Sequence, residues 1–280
     1  MESPLRAVDS CRNLSRETWR LLDIEYEDPF MNMAVEEAVA RRVGEGTVAS
    51  TVRFWRNSNA VVIGSHQDAR AEVNSELCSR YGIALVRRFT GGGAVYHDLG
   101  NLNFAISLPE SHRIVKNDIL DTFQTLSLGI INGLRSLGLE DATSECGNSI
   151  CINGRKLSGL AGCIKWGVVF CHGSILVASN IRRLAEVLRS TGQDDKRAVR
   201  SMPRTVTTLS DEVCRAVSIS EAKAALKRGL EKTFEISLIG GVLSAEERDL
   251  ARRLLHSRYA TDTWNQENLW EDMFATTSRC

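Results

Sequence analysis

The sequence has no excess of either charge. It contains 35 Lys and Arg against 35 Asp and Glu in 280 residues, for a formal net charge of +0. General nucleic-acid binders normally carry a basic excess, so the composition argues against that class. No apolar run reaches the ~20 residues of a membrane-spanning helix, and the N-terminus lacks the apolar core of a secretory signal. We therefore expect a cytoplasmic protein without a nucleic-acid or membrane partner.

The sequence also lacks any CxxC pair, although it contains eight cysteines. Cys146, Cys151, Cys163, Cys171 and His172 lie close enough in sequence to suggest a zinc site. Several of them, however, lie in apolar stretches that are typical of strands. In a chain of this size without a secretory signal, reduced and buried thiols are favoured over zinc ligands.

Strand-like and helix-like segments follow one another without the regular alternation of a parallel α/β protein. The pattern predicts strands at 19–26, 83–88, 94–98, 101–108 and 167–179, and a hairpin of strands at 51–55 and 60–64. It predicts helices that begin near Pro29 and Asn117, and two more at the capping-box positions Ser218 and Ser244. We therefore predict an α+β fold with mixed, mostly antiparallel sheets and flanking helices.

Three consecutive glycines, Gly91, Gly92 and Gly93, interrupt this pattern between two predicted strands. No helix follows them, which excludes a dinucleotide fingerprint, and the Gly-Lys-Ser/Thr of a phosphate-binding loop is missing. A bare hairpin turn is the simple alternative, but such a turn needs only one or two glycines. Three in a row favour a place where the backbone closely approaches a ligand.

A second motif, NGRKLSGLAG at 153–162, places Lys156 among small residues. The stretch FCHGSILV follows, with His172 directly before a glycine. A lysine in such a setting can meet a phosphate as a mobile point charge. The alternative is an ordinary solvated surface lysine.

Together these segments resemble the lipoate–protein ligase A family. RRFTGGGAVYHDLGN is similar to its Arg-rich triple-glycine signature, and GRKLSG and CHGSILV are similar to its second and third motifs, in the same order. The likeness covers roughly residues 19–266 and implies the large catalytic domain, of the biotinyl/lipoyl protein ligase type. Residues 1–18 are then an N-terminal extension and residues 267–280 a short tail.

The resemblance implies that the chain activates lipoate with ATP and Mg²⁺ to lipoyl-AMP. The lipoyl group then passes to a lysine of an acceptor lipoyl domain, of the glycine-cleavage H type or the 2-oxoacid dehydrogenase E2 type. Family members carry a small accessory domain after the Trp-Asn segment, and in split members it is a separate polypeptide. Only QENLWEDMFATTSRC follows here, so a separate accessory subunit is implied.

Carried over by motif, the resemblance implies that Lys156 is the catalytic lysine. The residues implied to bind ATP or lipoyl-AMP are Arg88, Thr90, Gly91, Gly92, Gly93, His97, Asp98, Asn148, Lys156, Ser158 and Ala161. Those implied to form the lipoyl pocket are Trp55, Val62, Gly93, His97 and His172. Where the family carries a magnesium-associated Asn-Asp, this sequence has Asn148-Ser149. For His97 and Asp98 the alternative is a turn-capping pair, and for Trp55 and Val62 it is plain core.

Two other functions stay open at this point. The first is an ATP-independent octanoyl or lipoyl acyltransferase that uses a cysteine, for which Cys146 and Cys171 lie nearest the motifs. The second is a non-catalytic lipoyl-binding module, which would not need Lys156. A basic set could meet an acidic acceptor domain or simply be solvated: Lys165, Lys196, Arg197, Arg200 and Arg204.

Overall fold

The computed structural model describes residues 16–145, 147–189 and 204–266. Its strands are β1 (Glu17–Asp23), β2 (Thr51–Trp55), β3 (Asn59–Ile63), β4 (Ala84–Arg87), β5 (Val95–Asp98), β6 (Asn101–Pro109), β7 (Thr143–Glu145), β8 (Ser149–Ile152), β9 (Arg155–Lys165), β10 (Val168–Leu176) and β11 (Ile236–Gly240). Its α-helices are α1 (Pro29–Gly44), α2 (Ala69–Glu72), α3 (Ser75–Arg80), α4 (Ile119–Arg135), α5 (Ile181–Val187), α6 (Leu209–Val213), α7 (Ile219–Phe234), α8 (Ala245–Leu254) and α9 (Asp262–Asn265). Within these ranges, none of the helices has the length and apolar character needed to cross a membrane.

The strands form two sheets. The larger has the order β11-β1-β2-β6-β10-β9-β8-β7, and the smaller has the order β4-β3-β5. β1 runs parallel to both β11 and β2, and β3 runs parallel to β4, whereas the other neighbours are antiparallel. The predicted α+β class, with mixed and mostly antiparallel sheets, is confirmed.

The predicted hairpin between 51–55 and 60–64 is wrong. β2 pairs with β1 and β6 in the large sheet, whereas β3 pairs with β4 and β5 in the small one. Both edges of each strand are therefore occupied by partners that are distant in sequence. The connecting turn carries the chain from one sheet to the other, and the side chain of Asn57 within it is fully buried.

The triple-glycine segment is not a bare hairpin turn either. β4 and β5 lie on opposite sides of β3, so the segment between them crosses the end of β3. The crossing is tight: a Cβ atom at Gly64, directly after β3, would lie 2.2 Å from the carbonyl oxygen of Gly92. The amide of Ser65 also donates to the carbonyl of Thr90 at 2.8 Å. The glycines therefore serve a close approach between two backbone segments.

Two helices carry most of the apolar surface that closes the sheets. α1 begins where predicted, since Asp28 caps the amide of Phe30 at 2.9 Å before Pro29. The helix predicted to begin near Asn117 is α4, and its apolar face is buried at Phe123, Leu126, Ile130 and Leu134. Ser218 and Ser244 both cap helices, as their spacing predicted. These helices pack against the sheets and so hold in place the strands that carry the candidate site.

Candidate functional site

A cavity of about 370 Å³ opens between the two sheets. Ten of the residues that the sequence predicted for the site line it: Trp55, Val62, Arg88, Gly92, Gly93, His97, Asn148, Lys156, Ala161 and His172. The sequence did not indicate eight others, namely Met33, Ala94, Val95, Asn103, Gly159, Leu160, Gly173 and Ser174. Ser149 and Arg204, which the sequence raised only as a metal-associated position and as part of the basic set, also line it. The three motifs thus converge on one cavity, although they are far apart in sequence.

Four predicted site residues do not line this cavity. The hydroxyl of Thr90 lies 2.7 Å from Nε2 of His172, and the carbonyl of Gly91 accepts from Arg88 at 2.6 Å. Asp98 caps the amides of Gly100 and Asn180 at 2.9 and 2.8 Å, which is the turn-capping alternative. Ser158 lines a neighbouring cavity instead. These residues hold the walls of the site.

Lys156 sits at the start of β9, and its backbone is tied to a distant segment. Its amide donates to the carbonyl of Thr205 at 2.9 Å, and its carbonyl accepts from the amide of Thr207 at 3.0 Å. Burial lowers the pKa of Lys156, and the positive charges of Arg204 and Arg88 lower it further. The ammonium group is therefore partly desolvated among like charges, a setting that an anionic ligand would relieve.

A second cavity, of about 230 Å³, adjoins the first. The two share six lining residues, which are Ala94, Val95, Lys156, Gly159, Ser174 and Arg204. The first cavity also reaches apolar side chains of Met33, Trp55 and Val62. Lys156 therefore lies at the boundary between a space with an apolar end and a second space with Arg189 and Arg204 in its wall.

Arg88 holds the triple-glycine segment in place. Its Nη2 donates to the carbonyls of Gly91 and Gly93 at 2.6 and 2.9 Å, and its Nη1 donates to the carbonyl of Val62 at 3.2 Å. Burial lowers the pKa of Arg88 to about 10, and the negative charge of Glu36 opposes that shift. The guanidinium group lines the cavity, but much of its donor capacity is used on the loop. A phosphate or carboxylate partner for Arg88 stays a prediction.

His172 connects this loop to α1. Its Nδ1 lies 2.9 Å from Oε1 of Glu36, and its Nε2 lies 2.7 Å from the hydroxyl of Thr90, which also accepts from Nε of Arg88 at 3.1 Å. Glu36 is 1% exposed. Sequence reasoning missed it because its partner lies 136 residues away. The chain Glu36–His172–Thr90–Arg88 thus places a buried negative charge behind the buried guanidinium group.

His97 faces the same cavity from β5. Burial lowers its pKa to about 3, and the positive charge of Arg88 acts in the same direction. Its Nδ1 lies 3.0 Å from Nδ2 of Asn57. The imidazole is therefore neutral at any pH at which the protein would work.

This shift predicts a specific loss of stability in acid. The unfolded chain binds a proton at His97 near pH 6.5, whereas the folded chain does not until about pH 3, so its contribution is complete above pH 6.5 and declines below it. The pKa difference corresponds to about 2 kcal/mol of unfolding free energy between pH 7 and pH 5. Urea unfolding at both pH values is expected to show that much less acid sensitivity in His97→Gln than in the wild type. Equal sensitivity would contradict the shift.

Of the five described cysteines, all of which are free, four are buried or half-buried and poorly suited to attack. Burial raises the pKa of Cys171 to about 12 and that of Cys163 to about 11, and it also raises the pKa values of Cys78 and Cys151. Thiolates are the reactive form, so Cys171 is not the nucleophile that the transferase alternative requires. The other candidate, Cys146, lies outside the described residues.

The described residues do not form a metal site by themselves. In 16–145, 147–189 and 204–266, no group of three His, Cys, Asp or Glu side chains could hold a metal ion. The residues that line the cavity near Asn148 and Ser149 include amide and hydroxyl oxygens but no carboxylate. Mg²⁺ prefers carboxylate and phosphate oxygens, so the described part of the chain does not offer it a fitting protein site.

Of the predicted basic set, the structure describes only Lys165 and Arg204. Arg204 lines both cavities and lies 3.4 Å from Glu145. Nζ of Lys165 lies 4.7 Å above the ring of Trp166, at the turn that joins β9 to β10. Lys196, Arg197 and Arg200 lie outside the described residues, as do most of the predicted extension and the whole predicted tail.

The geometry and the sequence agree with one known family. The family model of the lipoyl protein ligase A/B catalytic domain matches residues 28–231. The chain belongs to this family. The resemblance inferred from the motifs and the predicted fold type are therefore confirmed, and the protein has a catalytic domain of the lipoate ligase and acyltransferase kind.

Its relatives have two different activities. Lipoate-protein ligase A subunit 1 of Thermoplasma acidophilum is 34% identical, over 84% of this chain and 91% of its own. Octanoyltransferase LipM of Brevibacillus brevis is 32% identical, over 89% of this chain and 99% of its own. Among solved structures, a bi-partite lipoate protein ligase from Thermoplasma acidophilum superposes with a TM-score of 0.79 at 33% identity, covering 90% of this chain and 98% of that one. A lipoate-protein ligase A bound with ATP gives a TM-score of 0.78 at 32% identity, covering 90% and 100%.

Proposed function

We propose that the protein is the catalytic subunit of an ATP-dependent lipoate–protein ligase. The observation that carries this proposal is the position of Lys156 at the boundary of two adjoining cavities. In this proposal the lipoyl chain occupies the cavity that reaches Met33, Trp55 and Val62, and the nucleotide lies towards the neighbouring cavity with Arg189 and Arg204 in its wall. The similarity to a ligase bound with ATP supports a nucleotide as the second ligand.

In the first step a carboxylate oxygen of lipoate attacks the α-phosphate of ATP, and pyrophosphate leaves. Two anions must meet, so the site has to supply positive charge where they approach each other. Lys156 and Arg204 line both cavities. The ammonium group of Lys156 is partly desolvated, which strengthens its interaction with the developing charge.

In the second step the amine of an acceptor lysine attacks the acyl carbon, and AMP leaves with the bonding electrons. Lys156 stabilises the negative charge that develops on the carbonyl oxygen. The walls of the cavity shield the mixed anhydride from water, and His172 and the glycine segment keep those walls in place. Mg²⁺ is then carried with the triphosphate, since the described lining offers it no carboxylate.

The partners follow from the same proposal. The acceptor is a lipoyl domain, of the H type or the E2 type, and a separate accessory subunit takes part in the adenylation step. One similar protein supports this: the Thermoplasma ligase is described as bi-partite, and its structure belongs to a study of a lipoylation system with its E2 lipoyl domain.

A second candidate function is an ATP-independent octanoyltransferase. Several relatives that align with this chain over 99% of their own length are octanoyltransferases. In addition, Cys146 lies two residues before Asn148, which lines the cavity. In this alternative the Cys146 sulfur takes the acyl group from a carrier thioester and passes it to the acceptor lysine.

Acceptor modification measured by mass spectrometry separates these functions. We expect transfer from preformed lipoyl-AMP, transfer from lipoate with ATP and Mg²⁺ once the accessory subunit is added, and full activity in Cys146→Ser. Transfer from an octanoyl carrier protein without ATP, with activity lost in Cys146→Ser, would establish the transferase instead. No transfer from any donor would contradict both.

A further inference from the structure

A chain of buried hydrogen bonds leads from β2 to His97 without touching the cavity until its last member. Nη2 of Arg53 donates to Oδ1 of Asn32 at 2.7 Å. Nδ2 of Asn32 donates to Oδ1 of Asn57 at 2.8 Å, and Nδ2 of Asn57 lies 3.0 Å from Nδ1 of His97. Arg53, Asn32 and Asn57 are at most 1% exposed, and of the four only His97 lines the cavity. We call these first three residues the relay.

The direction of every bond in the relay is fixed by its first member. A guanidinium group only donates, so the atom of Asn32 that faces Arg53 must be the oxygen. The backbone of Tyr26 requires the same orientation, because its amide donates to Oδ1 of Asn32 at 3.1 Å and its carbonyl accepts from Nδ2 at 2.7 Å. Asn32 therefore presents an N–H to Asn57, which must accept with its oxygen and present its own N–H to His97.

His97 is then left with one tautomer. Its Nδ1 accepts from Asn57, so its single proton is on Nε2. Within the part of the chain that the structure describes, Nε2 has no hydrogen-bond partner, and it is not one of the sealed, unpaired buried atoms. Because His97 lines the cavity, this N–H is a donor available to a ligand and cannot accept.

We propose that the relay holds His97 as the neutral Nε2–H tautomer, and that this N–H donates to the head-group oxygen of the bound acyl substrate. Arg53, Asn32 and Asn57 are then positioning residues, and His97 is the group that touches the ligand. The second half rests on the proposed function, because it assumes that lipoate occupies this cavity. The first half does not, since the tautomer exists in the protein alone.

An oxygen suits this donor for an electrostatic reason. Nη2 of Arg88 lies at the adjoining glycine segment, and Arg88 acts on His97 as a positive neighbour. A carboxylate or carbonyl oxygen gains from both the positive surroundings and the neutral donor. A second donor on the ligand would instead leave two N–H groups facing each other, which is unfavourable in a buried site.

The tautomer can be read directly by NMR, through the ¹⁵N shifts of the two ring nitrogens of His97. We expect Nε2 of the free wild type to be protonated and Nδ1 to be unprotonated. Addition of lipoate is expected to move the Nε2–H proton resonance downfield. The decisive variant is Asn57→Asp, because a carboxylate still accepts from Asn32 but cannot donate to His97. In it the proton is expected on Nδ1, either in a reversed tautomer or in a charged imidazole.

If the tautomer reverses, the same variant is expected to bind the ligand about tenfold less tightly or worse, because the Nε2–H donor is lost from a buried contact. A charged imidazole keeps that donor and is expected to keep its affinity for lipoamide. Lipoamide is measured beside lipoate by calorimetry, since it keeps the carbonyl oxygen without the charge and so separates donor loss from repulsion by the new carboxylate. The matched control is Asn74→Asp, which makes the same chemical change at the helix cap of α3, where only an acceptor is needed. Its tautomer and affinity are expected to match the wild type.

Each outcome decides a stated part of the proposal. A proton on Nδ1 in the wild type, or a proton that stays only on Nε2 in Asn57→Asp, would overturn the relay. An Nε2–H resonance that does not move when lipoate binds, or unchanged lipoamide affinity in an Asn57→Asp protein whose Nε2 is unprotonated, would overturn the contact to the ligand. If the expected tautomers appear but the wild type binds no lipoate, the proposed function fails together with the ligand contact, and the relay stands.

Discussion

Replacing Lys156 by methionine is expected to lower acyl transfer by about 10²–10³-fold, the effect of removing one stabiliser of developing charge. The stem of the side chain is kept, so the wall between the two cavities is kept as well. The backbone bonds of Lys156 to Thr205 and Thr207 do not depend on the side chain. The loss should therefore fall on the rate of transfer, with little effect on folding.

Transfer from preformed lipoyl-AMP to an acceptor domain is the measurement, because it isolates the second step from any accessory subunit. The matched control is Lys232→Met, which removes an exposed lysine at the end of α7. Wild-type rates in the control and a large loss in Lys156→Met are expected. Near-normal transfer by Lys156→Met would show that the reacting centre lies elsewhere and would favour the cysteine alternative.

The pH dependence of the transfer rate is an independent test of the charge on Lys156. Because burial and two arginines lower the pKa of Lys156, its charge is lost at a lower pH than that of an exposed lysine. If the charged form stabilises the transition state, transfer should decline on the alkaline side before an ordinary lysine would titrate. Lys156→Arg, which stays charged, is expected to lack this decline even if its overall rate is reduced.

The sequence predicted best those features that a few neighbouring residues determine. Helix starts at Asp28–Pro29, Ser218 and Ser244 depend on local capping, and the structure has them. The motif residues Lys156, Arg88, Gly92 and His172 meet at one cavity as the resemblance implied. Short motifs are good predictors here because the local backbone conformation that they require is set by neighbouring residues.

What the sequence could not predict depends on partners that are far apart along the chain. The turn at 56–58 looked like a hairpin turn, but strand pairing was decided by β1, β6, β4 and β5. In the same way, Asn57 bonds to His97, 40 residues away, and Glu36 bonds to His172 across 136 residues. A buried carboxylate or amide is recognisable as functional only when its partner is known. Asn57 and Glu36 nevertheless lie within residues 19–266, over which the sequence resembles the family. That resemblance was the only feature of the sequence that could have indicated them.

The roles of the three glycines are also unequal in a way that composition does not show. Gly92 has φ +92°, a conformation that side-chain-bearing residues rarely adopt, and a Cβ atom there would lie 2.9 Å from Nη2 of Arg88 and 3.4 Å from Cβ of Ala161. Gly91 has no atom within 4 Å of the same position and no φ in that range. Of Gly91 and Gly92, only Gly92 is therefore required to be glycine by both its conformation and its neighbours.

Gly92→Ala is accordingly expected to lower transfer by about 10²-fold, since displacement of site groups by an ångström has effects of that size. The strain of the left-handed conformation adds about 1–2 kcal/mol against the native loop. The loop can relieve it only by moving away from Arg88, whose bonds to Gly91 and Gly93 fix both sides of the cavity wall. For Gly91→Ala, the free energy of unfolding is expected to stay within about 0.5 kcal/mol of that of the wild type, because no conformational or steric constraint acts at this position.

The comparison of these two alanine variants tests the loop geometry itself, because they make the same chemical change one residue apart. Transfer from lipoyl-AMP gives the activity, and thermal unfolding reports whether any loss comes from the fold as a whole. Equal losses in both variants would mean that the segment tolerates no side chain anywhere, which the open space beside Gly91 contradicts. Unchanged activity in Gly92→Ala would mean that the carbonyls held by Arg88 can shift without harm, and that the guanidinium group has its main role with the ligand after all.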